Sequence, residues 1–177
     1  MTSPASKALR AMKHSIALIA ATCVLMPIIG VTASLSASAS ELVLVSPVAH
    51  ACISSPFGPR RRIGPHAPAD FHRGIDLPAP AGGAVSAVAA GQVVSIHRRG
   101  PGGLEVTVRH NGYTAIYAHL GRVTPALAEG QTRLAAGQPI GVVGRTGVTY
   151  GTHLYFEILV DGQPVDPGPM LGLSHCP

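Results

Sequence analysis

The segment Phe71-His72-Arg73-Gly74-Ile75-Asp76-Leu77-Pro78 places an imidazole and a carboxylate four residues apart, between proline-rich flanks. Gly74 and Pro78 disfavour a helix, so we predict an irregular entry into a short extended run. Residues four apart in an extended chain share a face, and His72 and Asp76 can therefore point to the same side. A neutral imidazole and a carboxylate are donors that a catalytic zinc ion takes. The pair alone also fits a surface histidine beside an aspartate in a turn.

Short apolar runs separated by glycine-rich turns follow this segment. The sequence predicts strands at residues 84–88, 92–97, 104–109, 113–120, 139–144 and 153–160, and a helical turn at 125–129. The second and third of these flank a Gly-Pro-Gly-Gly break, and Asn111-Gly112 is typical of a hairpin turn. No long amphipathic helix is indicated. We therefore predict a compact, antiparallel, all-β single domain, a sheet or sandwich, after a loop-rich N-terminal lead-in.

Two of the predicted strands carry histidines. On the strand at 113–120, alternation places His119 on the same face as Tyr117. On the strand at 153–160, His153, Tyr155 and Glu157 lie opposite apolar residues that would enter the core: Leu154, Phe156 and Ile158. Each histidine alone is more typical of a structural role. If these strands neighbour the first segment, their combination predicts a groove built for metal-assisted hydrolysis.

The first forty residues differ from the rest of the chain. A basic start is followed by an apolar run over residues 16–31 and by a small-residue tail that contains Ala37-Ser38-Ala39. This order predicts an export signal over residues 1–39, with cleavage after Ala39. An uncleaved membrane anchor is the alternative, but Pro27 and the tail favour cleavage, which would leave no stable membrane anchor. The protein is then exported to the periplasm, the cell wall or the extracellular space.

The charge of the exported part limits the binding partners that we expect, and its cysteines indicate a disulfide. Without the signal it carries ten arginines against eight acidic residues, and no basic block is interleaved with aromatic residues. Nucleic acid is therefore not an expected partner. Cys52 and Cys176 are the cysteines that remain, and outside the cytoplasm we expect them to pair, the alternative being two free buried thiols. Closing so long a loop would stabilise the fold by roughly 3–5 kcal/mol.

At these residues the sequence resembles the M23 peptidases, the lysostaphin-like or LytM-type zinc endopeptidases that cut peptide cross-bridges of bacterial peptidoglycan. Four ordered motifs carry the resemblance: H-x-x-x-D at His72 and Asp76, Y-A-H-L at residues 117–120, G-x-T-G at 144–147 and G-x-H-L-x-F-E at 151–157. The resemblance implies a peptidase domain at residues 53–170, with a lead-in at 40–52 and a C-terminal tail at 171–177.

The resemblance also implies roles for individual residues. His72 and Asp76 would bind zinc, His119 would polarise the water or stabilise the oxyanion, and His153 would act as general base or electrostatic partner. The family's last motif is H-x-H, and its second histidine is the third zinc ligand, but here that position is Tyr155. A phenol titrates near pH 10 in its ordinary state, whereas a metal can lower a ligand's pKa. The sequence leaves open a tyrosinate ligand, a weak site and a lost site.

Two functions follow from the resemblance. The first is an exported zinc metalloendopeptidase that hydrolyses peptide cross-links of peptidoglycan. The second is a degenerate, non-catalytic member that binds peptidoglycan or regulates another cell-wall hydrolase. The reason to consider it is the tyrosine at position 155, where the family has a histidine. His97 and His110 have no spacing that would let them replace the missing ligand, so we expect them to be ordinary strand-end residues.

Overall fold

The computed structural model describes residues 44–60, 70–98 and 100–177. The predicted export signal and the first four residues of the predicted lead-in lie outside these ranges. Short antiparallel strands dominate, which confirms the predicted all-β fold. Over the same ranges, no helix has the length and apolar character needed to span a bilayer.

Short turns connect the strands and the two short helices in the described part of the chain. The strands are β1 (Gly58–Arg60), β2 (Asp70–His72), β3 (Ile75–Pro78), β4 (Ala84–Ser86), β5 (Gly91–Arg98), β6 (Leu104–Arg109), β7 (Thr114–Ala118), β8 (Leu120–Val123), β9 (Arg133–Leu134), β10 (Pro139–Val143), β11 (His153–Val160) and β12 (Gln163–Val165). The helices are α1 (Pro125–Ala128) and α2 (Pro167–Leu171). Helix α1 confirms the predicted helical turn, and its single turn is bounded by Pro125 and Gly130.

The largest sheet has the strand order β12-β11-β7-β6-β5-β9, and β3 also pairs with β11. All of these pairings are antiparallel. In this register Tyr155 of β11 lies opposite Asp76 of β3 on one side and opposite Ala118 of β7 on the other. Strand β11 is therefore the element that brings the three histidine-bearing motifs together.

The core lies between this sheet and a smaller one of order β4-β10-β8. From β11, three apolar side chains are completely buried, as the alternation predicts: Leu154, Phe156 and Ile158. Val85, Leu120 and Ile140 of the smaller sheet join the same cluster. Burying a side chain of this size stabilises a fold by about 1.5–3 kcal/mol, so the apolar face of β11 holds the sheet in place.

The prediction that His119 shares a face with Tyr117 is wrong. Tyr117 is completely buried in the core, where its hydroxyl oxygen accepts a hydrogen bond from the Val88 N–H at 3.0 Å. Strand β7 ends at Ala118, and His119 adopts a left-handed backbone conformation with φ 61°. That conformation interrupts the alternation, so the two side chains leave the chain in different directions.

The two ends of the described domain are tied together. Cys52 and Cys176 form a disulfide across 124 residues, as the sequence predicts. Beside it, the Ile53 N–H donates to the Ser174 carbonyl at 2.9 Å and the Cys176 N–H donates to the Ile53 carbonyl at 3.0 Å. The predicted C-terminal tail is thus hydrogen-bonded to the start of the domain.

Candidate active site

An open cleft of about 720 Å³ is lined by residues of β2, β3 and β11, by His119 just after β7, and by the loop at 148–151. The side chains that line it include all five predicted site residues: His72, Asp76, His119, His153 and Tyr155. They come from segments up to 83 residues apart, which the antiparallel register of β11 brings side by side. The predicted convergence in one groove is therefore present in the structure.

His72 is the last residue of β2 and is nearly buried, with 4% of its surface exposed. Its Nδ1 lies 2.9 Å from the Pro56 carbonyl oxygen. Because a carbonyl only accepts, Nδ1 carries the proton of the neutral ring and Nε2 keeps its lone pair. That Nε2 atom lies 3.3 Å from Oδ1 of Asp76.

Asp76 sits on β3 with its backbone held on both sides. Its N–H donates to the Ser55 carbonyl and its carbonyl accepts from the Ser54 N–H, each at 3.0 Å. Burial raises the pKa of the Asp76 carboxyl, but its contact with His72, the positive charge that His153 and His72 carry when protonated, and the charge of Arg60 outweigh it and leave the pKa below its ordinary value. Asp76 is therefore an anion at neutral pH.

His153 opens β11 and approaches the same carboxylate oxygen. Its Nε2 lies 3.4 Å from Oδ1 of Asp76. Its Nδ1 lies 3.3 Å from Oγ1 of Thr149, whose own proton is donated to the Gly151 carbonyl at 2.7 Å. Nδ1 must therefore donate, which leaves the Nε2 lone pair free. Burial lowers the pKa of His153, and Asp76 opposes this only in part, so the ring is neutral at neutral pH.

His119 is fixed mainly by contacts with backbone atoms. Its N–H donates to the Gly102 carbonyl at 2.8 Å, its carbonyl accepts from the Gly144 N–H at 3.0 Å, and its Nδ1 donates to the Thr146 carbonyl at 2.8 Å. The imidazole stands edge-on to that of His153, with 5.0 Å between the ring centroids. The neutral ring is thereby held in the tautomer that leaves Nε2 as an acceptor.

The G-x-T-G turn at residues 144–147 is what holds His119. The Thr146 hydroxyl donates to the Leu120 carbonyl at 2.7 Å and accepts from the Leu104 N–H at 2.8 Å, so it joins β8 to β6. Gly147 has φ 78°, and a Cβ there would collide with the Pro101 carbonyl oxygen. The sequence singled out this turn as a motif, but nothing in it indicated that the turn positions His119.

Tyr155 does not present a free hydroxyl to the histidines. The hydroxyl donates to Oε2 of Glu157 at 2.7 Å, and Oε1 of Glu157 accepts from Nε of Arg73 at 3.2 Å. Burial raises the pKa of the Tyr155 phenol, and the hydrogen bond and the negative charge of Glu157 raise it further. These contacts oppose the tyrosinate form. Tyr155 as a zinc ligand stays a prediction, and this geometry does not favour it.

Glu157 and Arg73 are site residues that the sequence did not reveal as a pair. Glu157 is predicted on the open face with Tyr155, but only 6% of its surface is exposed. Its partner Arg73 is 84 residues away, so the pairing has no local signal. His97 and His110 lie outside the lining of the cleft. His97 pairs with Glu105 at 2.6 Å and His110 stacks on Tyr113.

The donors in the cleft suit zinc by their chemistry. Two neutral imidazoles with free Nε2 lone pairs and one carboxylate are the ligands that zinc prefers. Their Nδ1 atoms are held by a carbonyl and a hydroxyl, the usual arrangement behind a metal-binding histidine. Among the described residues, however, no group of three or more His, Cys, Asp or Glu side chains already stands in full metal-binding geometry. The donor set of His72, Asp76 and His153 fits zinc in kind, whereas the Tyr155 hydroxyl is hydrogen-bonded to Glu157.

Comparison with known proteins agrees with the motifs. The model of the family described as Peptidase family M23 matches residues 70–167. The DD-carboxypeptidase/endopeptidase Mpg of Neisseria meningitidis serogroup B (strain ATCC 13091 / M2091) is 40% identical over 124 residues, which are 70% of this chain and 28% of that protein. The murein hydrolase activator NlpD of Salmonella dublin is 37% identical over 98 residues, 54% of this chain and 25% of that protein. The chain thus spans about a quarter of the length of these curated relatives.

Solved structures share the fold. A zinc containing peptidase from Vibrio cholerae superimposes with a TM-score of 0.60 at 27% identity, over 74% of this chain and 39% of that one. The catalytic domain of the antimicrobial peptidase lysostaphin from Staphylococcus simulans gives a TM-score of 0.58 at 25% identity, over 67% of this chain and 90% of that domain. These likenesses confirm the predicted lysostaphin-like fold.

Proposed function

The chain belongs to peptidase family M23, and we propose that it is an exported zinc endopeptidase that hydrolyses peptide cross-links of bacterial peptidoglycan. One observation carries this proposal. Four predicted side chains from separate segments, His72, Asp76, His119 and His153, line one cleft, and each imidazole is held through Nδ1 so that Nε2 is left to act. The similarity to Mpg, named as a DD-carboxypeptidase/endopeptidase, supports the choice of substrate.

His72 and Asp76 would hold the metal through Nε2 and a carboxylate oxygen. Bound there, zinc would polarise the scissile carbonyl and lower the pKa of a water molecule. The negative charge of Asp76 would favour the binding of a cation beside the two neighbouring imidazoles. The anionic carboxylate follows from its lowered pKa.

His119 and His153, whose rings stand edge-on to each other, would transfer the proton. With Nδ1 donating to the Thr146 carbonyl, His119 can accept a proton from the attacking water only at Nε2, and it can return that proton to the leaving amine. His153 would assist as a second base or as an electrostatic partner. Phe71, Val148 and Tyr150 form exposed apolar rims on the cleft, where side chains of a bound peptide can pack.

The direct test is cleavage of isolated peptidoglycan by the purified protein in the presence of zinc, with the released fragments identified by mass spectrometry. We expect cleavage by the wild type and a loss of roughly 10²–10⁴-fold for His119→Ala, the usual contribution of a general base. His175→Ala is the matched control, because His175 is exposed on the C-terminal tail. Intact cross-links after treatment with the wild type would reject the proposal.

A second function is favoured by one observation, the engagement of the Tyr155 hydroxyl by Glu157. If that pairing removes the third ligand altogether, the cleft would bind peptidoglycan peptides without turnover, or regulate another hydrolase. The similarity to NlpD, named as a murein hydrolase activator, fits this alternative. Zinc and cleavage appearing only in Tyr155→His would support it, whereas stoichiometric zinc and cleavage in the wild type would reject it.

A further inference from the structure

We propose that His153, and not Tyr155, supplies the third protein ligand of the metal, beside His72 and Asp76. The inference deepens the proposed function and rests on zinc being the metal of this cleft. It narrows the roles given above, because a coordinating His153 leaves proton transfer to His119.

The spacing around Asp76 is the first argument. Oδ1 of Asp76 lies 3.3 Å from Nε2 of His72 and 3.4 Å from Nε2 of His153. Ligands of a tetrahedral zinc, each about 2.0–2.1 Å from the ion, are separated by about 3.3 Å. A charge-assisted hydrogen bond would instead be shorter, at about 2.7–2.9 Å. Both distances therefore match the separation of ligands around one metal better than that of an ion pair.

The orientation of His153 is the second argument. Its Nδ1 donates to the Thr149 hydroxyl, just as Nδ1 of His72 donates to the Pro56 carbonyl. Both rings therefore present the same atom, Nε2, with a free lone pair to the same carboxylate oxygen. A hydrogen bond behind the ring fixes its tautomer and makes it a better metal ligand.

The state of Tyr155 is the third argument. For the phenol to coordinate, its hydroxyl would have to leave Glu157 and leave that buried carboxylate with only Arg73. That loss opposes ligation, because an unpaired buried charge is costly. The hydrogen-bonded series Tyr155–Glu157–Arg73 instead fills the place beside His72, with 5.4 Å between the rings of His72 and Tyr155.

The three proposed ligands are not yet in the positions that they would take around a metal ion. Among the described residues, no group of three or more His, Cys, Asp or Glu side chains is placed to hold a metal ion, so binding would have to move at least one of the three donors. His153 is suited to this movement, because it is the first residue of β11, follows the loop at 144–152 and has 14% of its side chain exposed. His72, at 4% exposed, is the fixed member.

Zinc content and zinc affinity test this assignment without relying on turnover. The wild type, His153→Ala, Tyr155→Phe and His119→Ala would each be measured by elemental analysis and by competition with a chelator, and circular dichroism would verify that each is folded. We expect one zinc ion in the wild type. Tyr155→Phe should keep it within a few-fold of the wild-type affinity, and His119→Ala should keep it too. His153→Ala should lose more than the roughly 10–100-fold that removal of an outer partner costs.

X-ray absorption at the zinc edge gives an independent readout, since two coordinated imidazoles scatter more strongly than one. Two imidazoles in the wild type and in Tyr155→Phe are expected, and one in His153→Ala. Zinc retained by His153→Ala but lost by Tyr155→Phe would overturn the inference. If the wild type cleaves peptidoglycan while His153→Ala keeps its zinc, the inference fails and the proposed function stands. A wild type with neither zinc nor cleavage would overturn both.

Discussion

The two sides of the cleft are built in different ways. The first, here called the backbone wall, comprises residues 101–104, 118–121 and 144–147, and it holds His119 largely through main-chain hydrogen bonds. The second, called the side-chain wall, comprises Arg73, Tyr155 and Glu157, whose mutual contacts are all between side chains. A substitution in the backbone wall is expected to disturb the main-chain contacts that hold His119, whereas one in the side-chain wall acts mainly on the side chains of the site. The departure from the family motif falls in the side-chain wall.

This contrast explains how a chain can keep a peptidase fold and still alter a ligand position. Tyr155 keeps its backbone pairing with Asp76 and Ala118, which depends on no particular side chain. Its hydroxyl then finds a partner in Glu157 on the same strand, two residues away. The hydrogen bonds that hold His119 involve neither Tyr155 nor Glu157.

The largest effect is expected for Gly147→Ala in the backbone wall. The residue has φ 78°, and a Cβ would collide with the backbone at Pro101 and Gly103. We expect the free energy of unfolding to fall by about 3 kcal/mol or more, and activity to fall with it. Gly151→Ala is the matched control, because a Cβ at Gly151 meets no atom within 4 Å. Equal denaturation midpoints for the two variants would show that the backbone wall is not rigid.

Thr146→Val is expected to have the next largest effect. It removes the hydroxyl that joins Leu104 to Leu120, but it keeps the carbonyl that fixes His119. We expect kcat to fall about 10–100-fold, which is part of the roughly 10²–10⁴-fold that a general base contributes, with KM little changed. ¹⁵N shifts of the His119 ring should report a mixed tautomer.

Thr146→Ser is the control for that variant, because serine retains the hydroxyl. Recovery of both kcat and the Nδ1–H tautomer in Thr146→Ser is expected. A Thr146→Ser variant as impaired as Thr146→Val would mean that the methyl group, and not the hydroxyl, positions the turn.

Arg73→Ala tests the side-chain wall and should be milder. The Arg73 side chain is 57% exposed, so its ion pair with Glu157 is screened by solvent and contributes no more than about 1 kcal/mol. Chemical denaturation should show a change of that size or less, and Arg109→Ala, on the exposed face of β6, provides the control. A loss as large as that of Gly147→Ala would erase the distinction between the two walls.

The smallest effect is expected outside both walls, at His110. Burial lowers the pKa of His110, opposed in part by its hydrogen bond to the Ala90 carbonyl. The unfolded chain therefore binds this proton at higher pH than the folded one, and the free energy of unfolding should fall as the pH is lowered from 7 through about 6.5 towards the folded pKa. His110→Phe, which retains a ring next to Tyr113, should flatten this dependence in denaturation curves between pH 7 and 5. Parallel curves for the two proteins would contradict the assignment.

Much of the fold could be predicted because its signals are local. The alternation of apolar and polar residues in 153–160 fixes which face of β11 enters the core, and the burial of Leu154, Phe156 and Ile158 follows from it. The Asn111-Gly112 pair predicts the hairpin turn between β6 and β7. The candidate site residues were identified by motif, which needs only their order along the chain.

The prediction failed where local rules are overridden by distant contacts. Alternation put His119 with Tyr117, but the hydrogen bond from the His119 N–H to Gly102 and the left-handed backbone turn the imidazole into the cleft. The alternation predicts Glu157 on the open face of β11, but Glu157 is buried because Arg73 and Tyr155 form hydrogen bonds with its carboxylate. Gly102 is distant from His119 in sequence, and Arg73 is 84 residues from Glu157, so no local pattern predicts these two contacts.

By itself, the sequence determined the longer strands, the family, and the identity of the side chains available to the cleft, and it favoured the pairing of Cys52 with Cys176 over two free thiols. Only the tertiary structure decided which atoms of those side chains face one another, that Tyr155 is bound to Glu157, and that His72 and His153 present the same nitrogen to Asp76. The physical reason is the range of the forces. Periodicity and turn preference act over a few residues, whereas tautomers, pKa values and ligand spacing are set by atoms that meet only when distant segments pack together.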